Sequence, residues 1–352
     1  MKKISFLLGA GFSAVAGCPT ANKLSNMILS TSSSDFYILA GKELCKNPYR
    51  QPCEKYNMKP FEELLSLIRF YSYLRCKQFN YEDFYDFYRK LRDFSDCLGS
   101  LELSQRVNCL DDLYQQLLCL YLDEAENKAS AQMEVYEKFK NYVLKCAEDN
   151  RICIHTLNHD TLLERILEGY YSDGFSKLNS LFSSDQGDIA MYSKENYQGN
   201  VLLYKLHGSL DRYRYTYQKD YSKYEYVKVP TGGGVDLNSI RNRKDIDKPY
   251  LQYIVPDFLT GTTSKILRYQ EPFYQQQFEH FVNNLADSDI IYIIGYGGRD
   301  AQINEYLLSY AIGKQIIIID PYPSKELQRL SDALGNNAKI IQQSVTDYSF
   351  SV

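Results

Sequence analysis

The chain has 352 residues, 44% of them apolar and 24% charged, with a formal net charge of −4. This length can bury one large core or two modest ones, and the balance is that of a soluble globular protein. The charge offers no electrostatic reason for a membrane or nucleic-acid partner, so direct nucleic-acid binding is not expected.

In chain order, the first feature is residues 4–13, Ile-Ser-Phe-Leu-Leu-Gly-Ala-Gly-Phe-Ser. They predict a strand and the phosphate-cradling turn of a nucleotide-binding α/β domain. The lysines and apolar run of the first eight residues look superficially like a signal peptide. The run breaks at Gly9-Ala10-Gly11, short of the roughly 18 apolar residues of a spanning helix, so a strand in a cytoplasmic protein is expected. From about residue 20 to 150 the spacing predicts helix. Phe61, Leu64, Leu65 and Ile68 recur with helical period, as do Leu110, Leu113 and Leu117, and then Tyr136, Phe139, Val143 and Cys146. Strand signals return at 151–156 and 201–206. Stronger ones follow at 289–294 and 315–319, almost continuously apolar and β-branched, as in parallel strands covered on both faces. Residues 273–285, with Pro272 in the first turn, and 301–311 read as helices.

Strand–helix–strand alternation implies an α/β fold with a Rossmann-like parallel sheet and right-handed crossovers. Residues 1–30, 151–210 and 260–352 would form that domain. Residues 31–150 would be a large helical insertion. Residues 211–259 would be a smaller Tyr-rich insertion, a β-hairpin and loop. There are nine cysteines, with no Cys-x-x-Cys, which fits reduced thiols and gives no support for a zinc site. The 33 tyrosines against no tryptophan have no explanation in packing alone.

Five segments carry chemistry. Gly9-Ala10-Gly11-Phe12-Ser13-Ala14 is a Gly-x-Gly-x-x-Ala turn between strand and helix, where glycines let the backbone approach a pyrophosphate; the alternative is a tight turn with no ligand. The acidic residue usual about 20 positions on is missing, with Asp35 the nearest candidate, so this is not an ordinary dehydrogenase fold. Thr156-Leu157-Asn158-His159-Asp160 follows a strand at the edge where such sheets bind ligands. Helix capping is its alternative, because Thr161-x-x-Glu164 reads as a capping box. Lys205-Leu206-His207-Gly208-Ser209 places one of only four histidines (155, 159, 207 and 280) at a strand end, suited to titrate near neutrality or to a structural role. Ile294-Gly295-Tyr296-Gly297-Gly298-Arg299-Asp300 is a second glycine turn. Asp320-Pro321 closes a strand, with an acid that could take ribose hydroxyls or merely open a turn. The stretch 213–226, with Tyr at alternating positions, predicts a hairpin with one aromatic face turning near Lys219-Asp220. It would pack on its own domain, serve as an interface or stack on nucleic acid.

Together, Gly-Ala-Gly-x-Ser, Gly17-Cys18-Pro19, the Thr-x-Asn-x-Asp run, His-Gly, Gly-x-Gly and the strand-ending acid resemble the sirtuin superfamily. Within it the chain is most similar to bacterial sirtuin-like NADases of antiphage defence, through Asn158-His159-Asp160-Thr161-Leu162-Leu163-Glu164 and the run from Gly295 to Asn304. It departs from protein deacylases in having Thr20-Ala21-Asn22 for Asp-Phe-Arg, Leu157 for Gln, and no cysteine beyond Cys153 for a four-cysteine zinc module. The resemblance implies a sirtuin-type fold and an NAD glycohydrolase without zinc, with NAD as substrate. It implies Asn158 and His207 as catalytic residues. Gly9, Ala10, Gly11, Phe12 and Ser13 would bind the pyrophosphate, Asp160 the carboxamide, Gly295 and Gly297 the ribose, and Asp320 the adenosine ribose. A deacylase or ADP-ribosyltransferase, and a sensor of NAD or ADP-ribose without turnover, are the alternatives. The resemblance further implies a homo-oligomer and a separate activating partner, with a HerA-type ATPase or a short Argonaute as candidates.

Overall fold

The computed structural model describes residues 2–39, 43–48, 57–76, 78–177, 190–217, 220–229, 249–251, 255–261 and 264–350. In chain order the strands are β1 (Lys3–Leu8), β2 (Phe36–Leu39), β3 (Glu43–Lys46), β4 (Arg151–Thr156), β5 (Phe175–Lys177), β6 (Ala190–Tyr192), β7 (Val201–Lys205), β8 (Arg212–Tyr217), β9 (Asp220–Lys228), β10 (Pro249–Leu251), β11 (Ile290–Ile294), β12 (Gln315–Ile319) and β13 (Ala338–Ile341). The helices are α1 (Ala10–Ala14), α2 (Ala21–Leu29), α3 (Lys59–Leu74), α4 (Tyr81–Cys97), α5 (Leu101–Ala129), α6 (Glu137–Asp149), α7 (Leu162–Ile166), α8 (Ser264–Arg268), α9 (Pro272–Asp287), α10 (Ala301–Tyr310) and α11 (Lys325–Leu334). They form two compact units: Met1–Cys18 with Ala125–Leu259 and Arg268–Val352, and Pro19–Glu124 with Thr260–Leu267.

The first unit is built on a six-stranded sheet ordered β13-β12-β11-β1-β4-β7, parallel throughout. Numbered by chain position and read from β7, the order is 3-2-1-4-5-6, the doubly wound Rossmann arrangement, whose order reverses between the first strand and the fourth. The reversal lies between β1 and β11. Register brings Leu8 level with Thr156 on one side and Ile294 on the other, and those level with Lys205 and Ile319. The carboxyl ends therefore form one straight edge.

Period-2 alternation sends the two faces of each strand into different cores. Ile4, Phe6, Leu8, Ile152, Ile154, Leu203 and Tyr292 pack with Phe139, Tyr142 and Val143 of α6. Leu7, Ile291, Ile293, Ile316 and Ile318 pack with Phe278 and Phe281 of α9, Leu307 of α10 and Leu330 of α11. This is why the strands read as unbroken apolar runs. The tyrosine excess has its place here too. Tyr142 and Tyr292 pair their hydroxyls at 2.7 Å, and Tyr136 donates to the Phe12 carbonyl at 2.6 Å. A phenol fills a core site as phenylalanine does, provided its hydroxyl finds a partner.

A second sheet in this unit, β10-β8-β9-β6-β5, is antiparallel. Its β8–β9 hairpin is the Tyr-rich segment, and it packs on its own unit, with the buried Tyr226 ring stacked 4.0 Å from Phe273. Residues 218–219 of its turn, and 230–248 of the loop expected after it, lie outside the described residues.

The second unit packs Leu24 and Ile28 of α2, Phe61, Leu64, Leu65 and Ile68 of α3, Phe84 and Tyr88 of α4, and Leu113, Tyr114 and Leu117 of α5 as buried residues. Asn80 caps α4 by accepting from the Glu82 and Asp83 amides. The stretch from 20 to 150 is not helical throughout: β2 and β3 pair as an antiparallel hairpin within it. Each strand is four residues long, too short for alternation to stand out in the sequence, although Phe36, Ile38 and Leu44 are buried as a half-buried hairpin requires.

One polar group is set into the sheet. His155 on β4 is wholly buried, stacked 4.8 Å from Tyr204, with Nε2 3.2 Å from the Asn284 amide nitrogen. Burial, reinforced by the nearby His280 and Lys3, pushes its pKa well below the usual histidine value. The unfolded chain therefore takes up a proton that the folded chain refuses. The stability tied to this group is present above about pH 6.5 and falls by about 1.4 kcal/mol per pH unit below it. Urea unfolding between pH 7 and 5 should show this slope, and it should be shallower in His155→Asn.

Candidate active site

The strand ends meet at the turn Gly9–Ser13. The Gly9 amide donates to the Ile294 carbonyl at 3.0 Å, and the Gly11 amide to the Gly295 carbonyl at 2.9 Å. The fit is backbone against backbone. A Cβ on Gly9 would lie 2.6 Å from Gly295 O, one on Gly11 2.7 Å from Gly295 Cα, and one on Gly295 2.3 Å from Phe12 N. Gly295 also has φ +62°, a conformation natural to glycine. The glycines thus let two turns interlock where the strand order reverses. Ala10 is the exposed residue of the turn. Phe12 turns its ring into the core, 4.8 Å from Tyr136 and 5.1 Å from Phe139.

Ser13 on α1 ties this turn to the loop after β4. Asn158 Nδ2 donates to Gly9 O at 3.0 Å and to Ser13 Oγ at 2.9 Å, and Ser13 Oγ donates to Asp160 Oδ1 at 3.0 Å. With both amide hydrogens committed, Asn158 has its carbonyl Oδ1 to offer a ligand. Asp160 Oδ1 also accepts the Leu162 amide at 3.2 Å, so this carboxylate braces its own loop. Burial pushes its pKa up, against the pull of Lys205 and Ser13.

The capping box read at Thr161–Glu164 does not form. Glu126, wholly buried, accepts both the amide of Thr161, at 2.9 Å, and its hydroxyl, while Glu164 faces Lys205 Nζ at 3.2 Å. Lys205, wholly buried at the end of β7, also donates to the Asp160 carbonyl. Two buried ionic groups therefore hold the loop where a local cap was expected, and no local pattern in the sequence announces Glu126.

His207 follows β7 on the adjoining stretch of the edge, and the Leu206 amide donates to Thr156 O at 3.0 Å. Gly208, at φ +80°, leaves no room for a side chain: a Cβ would sit 2.5 Å from Asp257 O. The Leu259 amide donates to His207 O at 2.7 Å, so segment 257–259 clamps the turn. That segment is anchored by Asp257, which accepts from Arg268 at 2.8 and 2.9 Å, from Tyr226 at 2.7 Å and from Tyr274 at 3.0 Å. Burial would raise the Asp257 pKa, but Arg268 and Arg214 hold it below the usual carboxylate range. His207 Nε2 lies 3.1 Å from Tyr269 Oη and 3.5 Å from Asp300 Oδ2. Tyr269 and Asp257 carry no sequence signal. Asp300 stands in the Gly-rich run, where the sequence assigns it no role.

Hydrogen bonds thus join Gly9, Gly11, Ser13, Asn158, Asp160 and Gly295 directly, with His207 on the next strand. Asp320 stands two strands from β1, where its Oδ1 accepts the Tyr322 amide at 2.8 Å and closes its own turn; burial pushes its pKa up. Gly297 is open: a Cβ there would meet nothing within 4 Å. Among the described residues no group of three or more His, Cys, Asp or Glu could hold a metal ion. No helix among them is long and apolar enough to cross a membrane.

A family model described as a SIR2-like domain matches residues 152–336. No curated protein matches the chain. Solved structures are similar at low identity. One, described as "Structural Basis for the Mechanism and Regulation of Sir2 Enzymes", is 12% identical over 98% of this chain and 89% of its own, with a TM-score of 0.40. A Sir2 homologue–NAD complex is 13% identical over 98% and 85%, with a TM-score of 0.36. Sir2Tm bound to a propionylated peptide is 12% identical over 99% and 90%, with a TM-score of 0.39.

The two glycines of the second turn should respond differently to substitution. Gly295→Ala meets backbone at a positive φ and should cost more than about 2 kcal/mol, whereas Gly297→Ala should stay within about 0.5 kcal/mol. Denaturant midpoints of the two variants test this.

Proposed function

The chain belongs to the SIR2-like domain family, and from that premise we propose that it hydrolyses NAD to nicotinamide and ADP-ribose. The observation that carries this reading is the hydrogen bonding of Asn158 to Gly9 and Ser13 at the reversal of strand order, with His207 on the adjoining strand end.

Cleavage breaks the bond between ribose C1′ and the nicotinamide ring nitrogen. Its electron pair passes to the cationic ring, so nicotinamide leaves neutral and no general acid is needed. The transition state is oxocarbenium-like, as in glycoside cleavage. The site must then hold the ribose, stabilise developing positive charge and aim a water. Asn158 Oδ1 suits the second and third tasks, since an amide oxygen accepts hydrogen bonds but does not serve as a base. His207 bonds the ribose hydroxyls and takes the proton of the attacking water as the C1′–O bond forms, then releases it to solvent.

The turn Gly9–Ser13 is assigned to the pyrophosphate, with the exposed Ala10 facing it; the Gly9, Gly11 and Phe12 amides and the Ser13 hydroxyl proton, which are bonded to protein partners, shape the cradle. Asp160 is assigned to the nicotinamide carboxamide, Gly295 and Gly297 to the ribose, and Asp320 to the adenosine ribose. Water is the acceptor in this reading because the sequence has no cysteine between His207 and Gly295 to build a zinc module for an acyl-lysine cleft. The biological setting we propose is NAD depletion in the cytoplasm during bacterial antiphage defence. Homo-oligomerisation and a separate partner would control it, with a HerA-type ATPase or a short Argonaute as the candidates.

Once activated, the purified protein should release nicotinamide and ADP-ribose from NAD, and His207→Ala and Asn158→Ala should each reduce the rate by about 100-fold or more. Variants as fast as the parent would refute the site. A strictly monomeric chain, fully active alone, would refute the proposed control.

A further inference from the structure

Two polar groups that the proposed reaction does not use meet His207 Nε2: the Tyr269 hydroxyl at 3.1 Å and Asp300 Oδ2 at 3.5 Å. Asp300 is fixed from the other side. It is the N-cap of α10, and its Oδ1 accepts from the Gln302 amide at 3.1 Å and the Ile303 amide at 3.2 Å. The Tyr296 hydroxyl donates to Asn304 Oδ1 at 2.7 Å and lies 3.1 Å from the Asp300 carbonyl, which braces the turn. The side chains of His207 and Asp300 are each only 8% exposed, so solvent screens their attraction poorly. Among the described residues, the Tyr269 phenol and His159, whose ring centre is 6.5 Å away, also face the ring. Asp300 is therefore the acidic group, among the described residues, that the contacts place against this imidazole.

We propose that Asp300 is a positioning residue, the counter-ion of the His207 imidazolium. The proposal rests on the NAD-cleavage reading and assigns a role to a residue outside its reacting groups. When His207 takes the proton of the attacking water, positive charge develops 3.5 Å from Asp300 Oδ2 and is stabilised there. When the proton leaves for solvent, the imidazole returns to neutral and the carboxylate is unchanged. Asp300 reaches the reaction only through His207.

Asp300→Asn separates this role from the cap, because asparagine caps as well as aspartate but carries no charge. Asp300→Ser keeps a capping oxygen as well and repeats the test should the first variant fold poorly. With only four histidines in the chain, the His207 ring can be assigned by NMR from the signal lost in His207→Ala. In both capping variants, His207 should titrate at least about one pH unit lower than in the parent, because the opposite charge favours the protonated ring. Melting temperature should hold, and kcat for NAD should fall about 10- to 100-fold with KM changed less than about 3-fold. An unchanged His207 titration in Asp300→Asn would overturn the proposal, even with NAD cleavage intact. A parent protein that binds NAD without cleaving it, while its His207 titration depends on Asp300, would instead contradict the reaction and leave the ion pair standing.

Discussion

The interlock of the Gly9–Gly11 turn with Gly295 is the constraint on which the rest of the site depends. Two strand ends neighbouring across the reversal of strand order must each turn without colliding, and they do so by placing α-carbon against backbone at distances no Cβ tolerates. Asn158 is then hung on the first turn through Gly9 O and Ser13. The glycines that mark nucleotide-binding turns serve the fold here before they serve a ligand. Substitutions at Gly9, Gly11 or Gly295 would therefore report on folding as much as on chemistry.

Around this interlock, charged side chains hold the loops, wholly buried at Glu126 and Lys205 and half-buried at Asp257 and Arg268. Glu126 holds the Thr161 end of the β4 loop, Lys205 with Glu164 holds its Asp160 end, and Asp257 with Arg268 holds the segment that clamps Gly208. Breaking the buried Lys205–Glu164 pair by removing one partner would cost far more than the pair contributes relative to an apolar substitute. The common effect of these contacts is to fix two loops along one sheet edge, one carrying Asn158 and the other His207. Preorganisation of that kind is what the proposed cleavage needs, because its leaving group departs unaided.

Much of this was legible in the sequence where the information is local. The glycine turn after an apolar run, the covered parallel strands, and the polar residues just past Thr156 and Lys205 all follow from periodicity and from where open α/β sheets bind ligands. What was not legible depends on partners far apart along the chain. Thr161–Glu164 had the residues of a capping box, yet Glu126, 35 positions earlier, takes both donors of Thr161. Tyr269 reaches His207 across 62 positions with no motif of its own. The β2–β3 hairpin escaped because four-residue strands are too short to alternate convincingly. The tyrosine excess became intelligible only through its hydroxyl partners, such as Tyr142 with Tyr292.

In the proposed reaction a dinucleotide lies along this edge with its nicotinamide ribose between Asn158 and His207. A crystal structure of the chain with ADP-ribose tests it most directly. The pyrophosphate should lie over Ala10 and Ser13, with the terminal ribose within hydrogen-bond reach of Asn158 Oδ1 and the His207 ring. Ligand bound away from the β1–β11 reversal, or with that ribose turned away from both side chains, would contradict it.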